Sequence, residues 1–348
     1  MKILSQKRDG NTVTLEIEET YARFQETFDR TLLEAGKELK IAGFRPGKAP
    51  RELVEKSLDR DYVEHRAAQA LIAEIYPQVL AEGKLEPVDY PNIEITQLEN
   101  GKPVLFKAVI EVYPTVKLGK YKGLKVEKRS AVVSEEEIDK FLGNLQERFA
   151  VREADGKRTV LPLDDSFAQK VSKFGTLAEL RAEIRLATER ERVAEVDSDL
   201  KNQLIAALVT ACTVEIPKAM VEREIEVLLD ELKVSLAQSG LTVADYLKGS
   251  QKTEQSFRDE MRPTAEGRVK GKVALQAVVD AEKLTVSDDE VKAEIKQAVG
   301  GVEPPAGTTP QVTPELIKYV QDYLLRQKAL DLVLAAATVK EGKEEAKQ

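Results

Sequence analysis

Up to residue 113 the apolar side chains of this chain recur either in twos or at helical spacing, and from Thr176 to the end they recur at helical spacing almost throughout. One architecture cannot satisfy both patterns. The first calls for a sheet covered on one face by helices, the second for helices packed on one another. Lys2 to Lys7 and Thr12 to Glu18 alternate about Asp9-Gly10-Asn11. A hairpin is expected there, with Gly10 supplying a positive φ and Val13, Leu15 and Ile17 marking the buried face. From Thr20 the period lengthens, and Tyr21, Phe24, Phe28, Leu32, Leu33 and Leu39 fall on one helical stripe until Gly43 stops it. Arg51 to Leu58 and Asp61 to Leu80 continue as helices, and Ile93 to Leu98 and Val104 to Val112 return to alternation about Asn100-Gly101. The fold class expected for residues 1–113 is α+β, an antiparallel sheet with a helix-loop-helix tip.

Residues 114–159 read as a linker. Val116 to Arg129 is extended, and Ser134 with Glu137 forms a capping box that opens a helix from Glu135 to Ala150. Residues 160–348 read as a mostly α-helical, elongated domain with helical arms. Thr176 with Glu179 begins a long helix whose apolar side carries Leu177, Leu180, Ile184, Val193, Leu200, Leu204 and Leu208. Pro217 suits the first turn of the next helix, which bears Met220, Val221, Ile225, Leu228, Leu229 and Leu232. Further helices are expected over Thr253 to Ala281, over Ser287 to Val299 behind a third capping box with Glu290, and from Thr313-Pro314-Glu315 to Ala337. Gly300 to Pro314 reads as an exposed loop, and Lys340 to Gln348 as a charged, disordered tail.

Enzyme chemistry finds little to work with. His65 is the only histidine and Cys212 the only cysteine, so neither a disulfide within the chain nor a cysteine- or histidine-based metal cluster can form. Asp164 and Asp165 are adjacent and diverge in direction, which suits helix initiation better than paired acid and base. No phosphate loop or nucleophile elbow is present. No catalytic residue, metal or cofactor is assigned. Met1-Lys2-Ile3-Leu4-Ser5 turns polar at once and no stretch is long enough to span a bilayer, so the cytoplasm is the expected compartment and no membrane partner is expected.

Binding is better represented. Gly43-Phe44-Arg45-Pro46-Gly47-Lys48-Ala49-Pro50 sets one aromatic and two cations among two glycines and two prolines, between helical stretches. Such a loop is ordered in advance and holds Phe44, Arg45 and Lys48 outward. Between Lys37 and Arg51, the cations Lys37, Lys40, Arg45, Lys48 and Arg51 face the single acid Glu38, although the whole chain carries a formal charge of -8. A positive tip on a negative body suits an anionic partner such as a phosphate backbone and excludes general coating of nucleic acid. The residues alone leave open an ordinary interhelical turn with Phe44 in the core. They also leave open a helical adaptor that binds RNA or an acidic protein through this tip.

Residues Gly43 to Pro50 resemble, residue for residue, the ribosome-binding signature of the trigger factor family. Val109-Ile110-Glu111-Val112-Tyr113-Pro114 and Leu118-Gly119-Lys120-Tyr121-Lys122-Gly123-Leu124 resemble that family's passage from its first domain into its linker. The resemblance implies a chaperone that docks at the large ribosomal subunit, on protein and rRNA near the tunnel exit, and holds unfolded and nascent polypeptides. It also implies a homodimer when free and no cofactor. One departure stands out. Family members usually carry a prolyl isomerase domain similar to the FK506-binding proteins after the linker helix, and here only a few residues, about 151–160, stand in its place. The chain has no Trp, and Phe167 and Phe174 are the only aromatics between Ala150 and Gly175, too few to line an isomerase pocket. No isomerase activity of that type is expected.

Overall fold

Alternation at the amino terminus becomes a four-stranded antiparallel sheet, and the helical periods become eleven helices among the residues that the computed structural model describes, 1–39, 44, 50–152, 158–300 and 312–342. In chain order the elements are β1 (Lys2–Asp9), β2 (Thr12–Glu19), α1 (Tyr21–Glu38), α2 (Arg51–Ser57), α3 (Arg60–Gly83), β3 (Asn92–Gln97) and β4 (Val104–Glu111). Then come β5 (Lys125–Lys128), α4 (Glu135–Arg148), β6 (Val151–Arg152), β7 (Arg158–Thr159), α5 (Asp165–Val171) and α6 (Leu177–Ala211). The rest are α7 (Lys218–Gln238), α8 (Val243–Ser250), α9 (Glu254–Glu282), α10 (Asp288–Gly300), α11 (Pro314–Ala335) and β8 (Thr338–Glu341). Two units are resolved, residues 1–117 with 214–273, and residues 118–213 with 274–348.

In the first unit the strands lie in the order β1-β2-β4-β3. Gly10, at φ +55, turns the hairpin as its missing Cβ permits. Register places Val13 opposite Ile110, Leu15 opposite Ala108 and Ile17 opposite Phe106, so every second residue faces the same way. That face is sealed by Phe24, Phe28 and Leu32 of α1 and by Val63, Ala67, Leu71 and Ile75 of α3, all buried. Leu33, placed on the same stripe by its spacing, is instead exposed, because the stripe that meets the sheet is narrower than the run of apolar residues. Also in this unit, α7 begins against the sheet. The Ala219 N–H donates to Glu111 Oε2 at 3.0 Å, and the Arg223 guanidinium donates to the Val88 carbonyl at 3.0 Å. Pro217 stands at the N-cap of α7 rather than within its first turn.

In the second unit α6 runs for 35 residues, roughly 50 Å at 1.5 Å per residue. Its first turns bury Leu180 and Ile184 with Ile138 and Leu142 of α4 and Phe167 of α5. Its last turns bury Leu200, Leu204 and Leu208 with Val126 of β5, Val278 of α9 and Leu330 and Val333 of α11. Val193 lies between these two clusters and is exposed, against expectation, since neither cluster reaches it. All three expected capping boxes close: Ser134 with Glu137, Thr176 with Glu179 and Ser287 with Glu290. Of the segment read as extended, only Lys125–Lys128 forms a strand, in parallel with β8. Lys340 and Glu341, read as the start of a disordered tail, belong to β8, and residues 343–348 lie outside the described residues.

Candidate functional site

The loop between α1 and α2 is framed by strong local signals. α1 stops at Leu39, whose φ of -79 and ψ of 132 leave the helix, with Lys37 in the last turn where its charge complements the carbonyl end of the helix dipole. α2 opens behind Pro50, whose ring fixes φ at -59 and whose lack of an N–H costs nothing at a helix start. At the base of the loop the two helices meet at Gly36, where an added Cβ would stand 2.9 Å from Val54 Cγ1. Both residues are buried, so glycine permits this approach.

Of the eight residues assigned to the tip, Phe44 and Pro50 are described, and both are exposed, Phe44 at 41%. Phe44 therefore does not fill the core, which removes the ordinary-turn alternative for that side chain. Gly43, Arg45, Pro46, Gly47, Lys48 and Ala49 lie outside the described residues. Arg51 is not a free cation, because it pairs with Asp29 two turns before the end of α1. The positive character of the tip is thus smaller than a count along the sequence suggests.

A second surface belongs to the helices of residues 214–273. Val221, Ile225, Leu228 and Leu229 of α7 are buried with Phe257 and Ala265 of α9, while Met261 and Leu247 pack against them half-buried. Met220 is half-buried as well. Flanking that core, ion pairs tie α7 to α9: Glu226 with Arg258 at 2.6 Å, Glu222 with Arg262 at 2.5 Å and Glu231 with Arg268 at 2.9 Å. Glu224 is buried and meets Lys272 at 2.5 Å. Val227, Val234 and Leu241 of this region are exposed, as is Tyr246, whose ring also meets Phe257 edge-on. Sequence periodicity could place Met220 and Met261 on a helix but could not say which apolar residues the core leaves uncovered.

Of the groups considered for catalysis, Asp164 and Asp165 each hold a helix start. His65 is exposed on α3. Asp164 caps α5 by accepting the Phe167 N–H at 3.0 Å, and hydrogen bonds from the Ser166 hydroxyl and the Phe167 N–H hold its carboxyl below the usual range. Asp165 accepts from the Leu177 N–H, so the two carboxylates serve different helices. Burial pushes the Cys212 thiol up. Among the described residues no group of acidic, cysteine and histidine side chains could hold a metal, and no helix is long and apolar enough to cross a membrane.

An α+β unit with an exposed aromatic at its tip, carrying helices that leave apolar side chains in water, presents the kind of surface by which proteins bind other chains. Comparison with known proteins narrows this class. Residues 1–145 match the family described as bacterial trigger factor protein, and residues 176–335 match the family described as bacterial trigger factor protein C-terminus. The trigger factor of Moorella thermoacetica is 32% identical, with 85% of this chain and 86% of the relative covered. That of Desulforamulus reducens is 30% identical, with 99% and 100% covered. A solved structure described as "Promiscuous Substrate Recognition in Folding and Assembly Activities of the Trigger Factor Chaperone" shares the fold with a TM-score of 0.57 at 18% identity, covering 96% of this chain and 99% of that one. The chain belongs to the trigger factor family of bacterial chaperones.

Proposed function

We propose that this chaperone docks on the large ribosomal subunit through Gly43 to Pro50 and holds nascent and unfolded polypeptides on its helices. The observation that carries the reading is the exposed Phe44 inside a residue-for-residue match to the family's ribosome-binding signature. Phe44 adds apolar or stacking contact, while Arg45 and Lys48 meet phosphates or acidic side chains at the tunnel exit. Val227, Val234, Leu241 and Tyr246 support the second half, since unfolded clients share no sequence and a scattered apolar surface demands none. The chaperone works in the cytoplasm, as a monomer on the ribosome and as a homodimer when free.

It does so without prolyl isomerase activity. Support comes from the spacing of the two family matches, which leave only residues 146–175 between them. The alignment with the Desulforamulus protein extends over 437 positions against 348 residues here, so that relative carries sequence that this chain lacks. Cosedimentation with ribosomes tests the docking: replacing Phe44, Arg45 and Lys48 by Ala should abolish pelleting at unchanged circular dichroism, and retained pelleting refutes it. A client whose slow refolding phase is limited by proline isomerisation tests the rest. Holding leaves the rate of that phase unchanged, whereas catalysis would speed it.

A further inference from the structure

Among the described residues, the two-stranded sheet of β5 and β8 has one sealed edge and one open edge. Parallel register pairs Val126 with Val339, and the Thr338 N–H donates to the Leu124 carbonyl at 2.7 Å while the Gly342 N–H donates to the Lys128 carbonyl at 2.8 Å. These bonds fix the parity: Thr338 and Lys340 turn their backbone groups toward β5, and Val339 and Glu341 turn theirs away. On the far side of β5 the outward residue is Glu127, and both of its backbone groups are taken by one side chain. Its N–H donates to Gln203 Oε1 at 3.1 Å, and Gln203 Nε2 donates to its carbonyl at 3.1 Å. Gln203 does at that edge what a third strand would do. Among the described residues nothing does the same for Val339 and Glu341, and all four residues of β8 are exposed.

We propose that the open edge of β8 accepts an extended, unfolded polypeptide segment as a third strand. This rests on the reading of the chain as a holder of unfolded chains and names a site for it. Main-chain pairing fits such clients, because every extended segment offers the same N–H and C=O spacing whatever its side chains. The sheet adds one apolar contact: Val339 stands in register with the buried Val126 yet is 42% exposed, so an added strand would cover it. Lys340 and Glu341 carry opposite charges and favour clients of neither sign. A second copy is a poorer occupant, since four residues bury far less than the roughly 1,600 Å² of a standard stable interface. Weak, reversible capture is what so short an edge can give.

Proline at position 339 removes an outward N–H and no ladder bond, and proline is tolerated on a strand edge that faces solvent. The test uses the full chain and a fluorescein-labelled ten-residue peptide alternating Val and Ser, read by anisotropy. Val339→Pro should weaken binding at least tenfold, Val339→Thr should stay within twofold, and the same peptide N-methylated at alternate residues should lose binding to the unmodified chain. Equal binding by Val339→Pro, or by the N-methylated peptide, overturns the proposal. A tenfold gain on removing residues 343–348 would assign the edge to the chain's own tail, and a dimer mass lost in Val339→Pro would assign it to a second copy. Either overturns it too. Failure of the wild-type chain to suppress client aggregation would sink the holding role itself, a result independent of the edge variants.

Discussion

Gly36→Ala should loosen the base of the loop between α1 and α2, and Val54→Ala should repair the damage. The new Cβ would stand 2.9 Å from Val54 Cγ1 and 3.2 Å from Cγ2, where apolar carbons prefer about 3.5 to 4.0 Å. Overpacking of this kind costs ~1–3 kcal/mol. Against that, alanine in a helix interior is favoured over glycine by about 1 kcal/mol. A net loss of about 1 kcal/mol is expected for the single change. Val54→Ala alone removes two buried methyl groups at about 0.8 kcal/mol each, with a further cost for the cavity. In the double variant the methyl at position 36 occupies the space left at position 54 while the helical gain remains. The two changes should therefore couple favourably by ~1–2 kcal/mol. Hydrogen exchange through a urea titration, read on peptides from α1 and α2, measures the coupling. Additivity within ~0.5 kcal/mol would show that the two residues do not press on one another and would refute the reasoning. Ribosome affinity should follow the same pattern, weakened by Gly36→Ala and recovered in the double variant.

Leu204→Ala should cost ~2–5 kcal/mol, because Leu204 is fully buried where α6 meets β5, α9 and α11, and a smaller loss in urea unfolding would mean the site collapses onto the gap. Thr176→Ala should cost ~1 kcal/mol by stripping the N-cap that bonds the Glu179 N–H, seen as faster hydrogen exchange in the first turn of α6 and nowhere else. Lys328, then the Ser287 N–H and hydroxyl, hold the Glu290 carboxyl down at about 2 from an ordinary 4.5, so the bond of α10 to α11 is fully present above pH 4.5 and is lost as pH falls toward 2. Glu290→Gln should flatten that acid dependence in hydrogen exchange of α10, and an unchanged profile would contradict the assignment.

What was legible in the sequence was local. The hairpin about Gly10 and the capping boxes at Ser134, Thr176 and Ser287 each act within a few residues, and each stands where the pattern put it. α8 escaped notice because its box closes with Asp245 rather than with Glu or Gln, and because the helix buries no residue fully. β8 escaped because its partner strand lies more than two hundred residues earlier, and four residues carry no periodicity of their own. The residues alone left Phe44 between solvent and core, and only the folded chain shows it exposed, while the pairing of Arg51 with Asp29 crosses from one helix to another and no window along the chain reveals it. The same holds for Gln203, an unremarked polar residue of α6 until Glu127 is brought beside it.

The salt dependence of ribosome affinity tests the central claim most directly. If Arg45 and Lys48 each neutralise a phosphate at the tunnel exit, the Arg45→Ala and Lys48→Ala double variant should bind ribosomes more weakly, and its slope of log K against log salt should fall in magnitude by about 2. A double variant with the affinity and slope of the unaltered chain would mean that the tip is not the anchor.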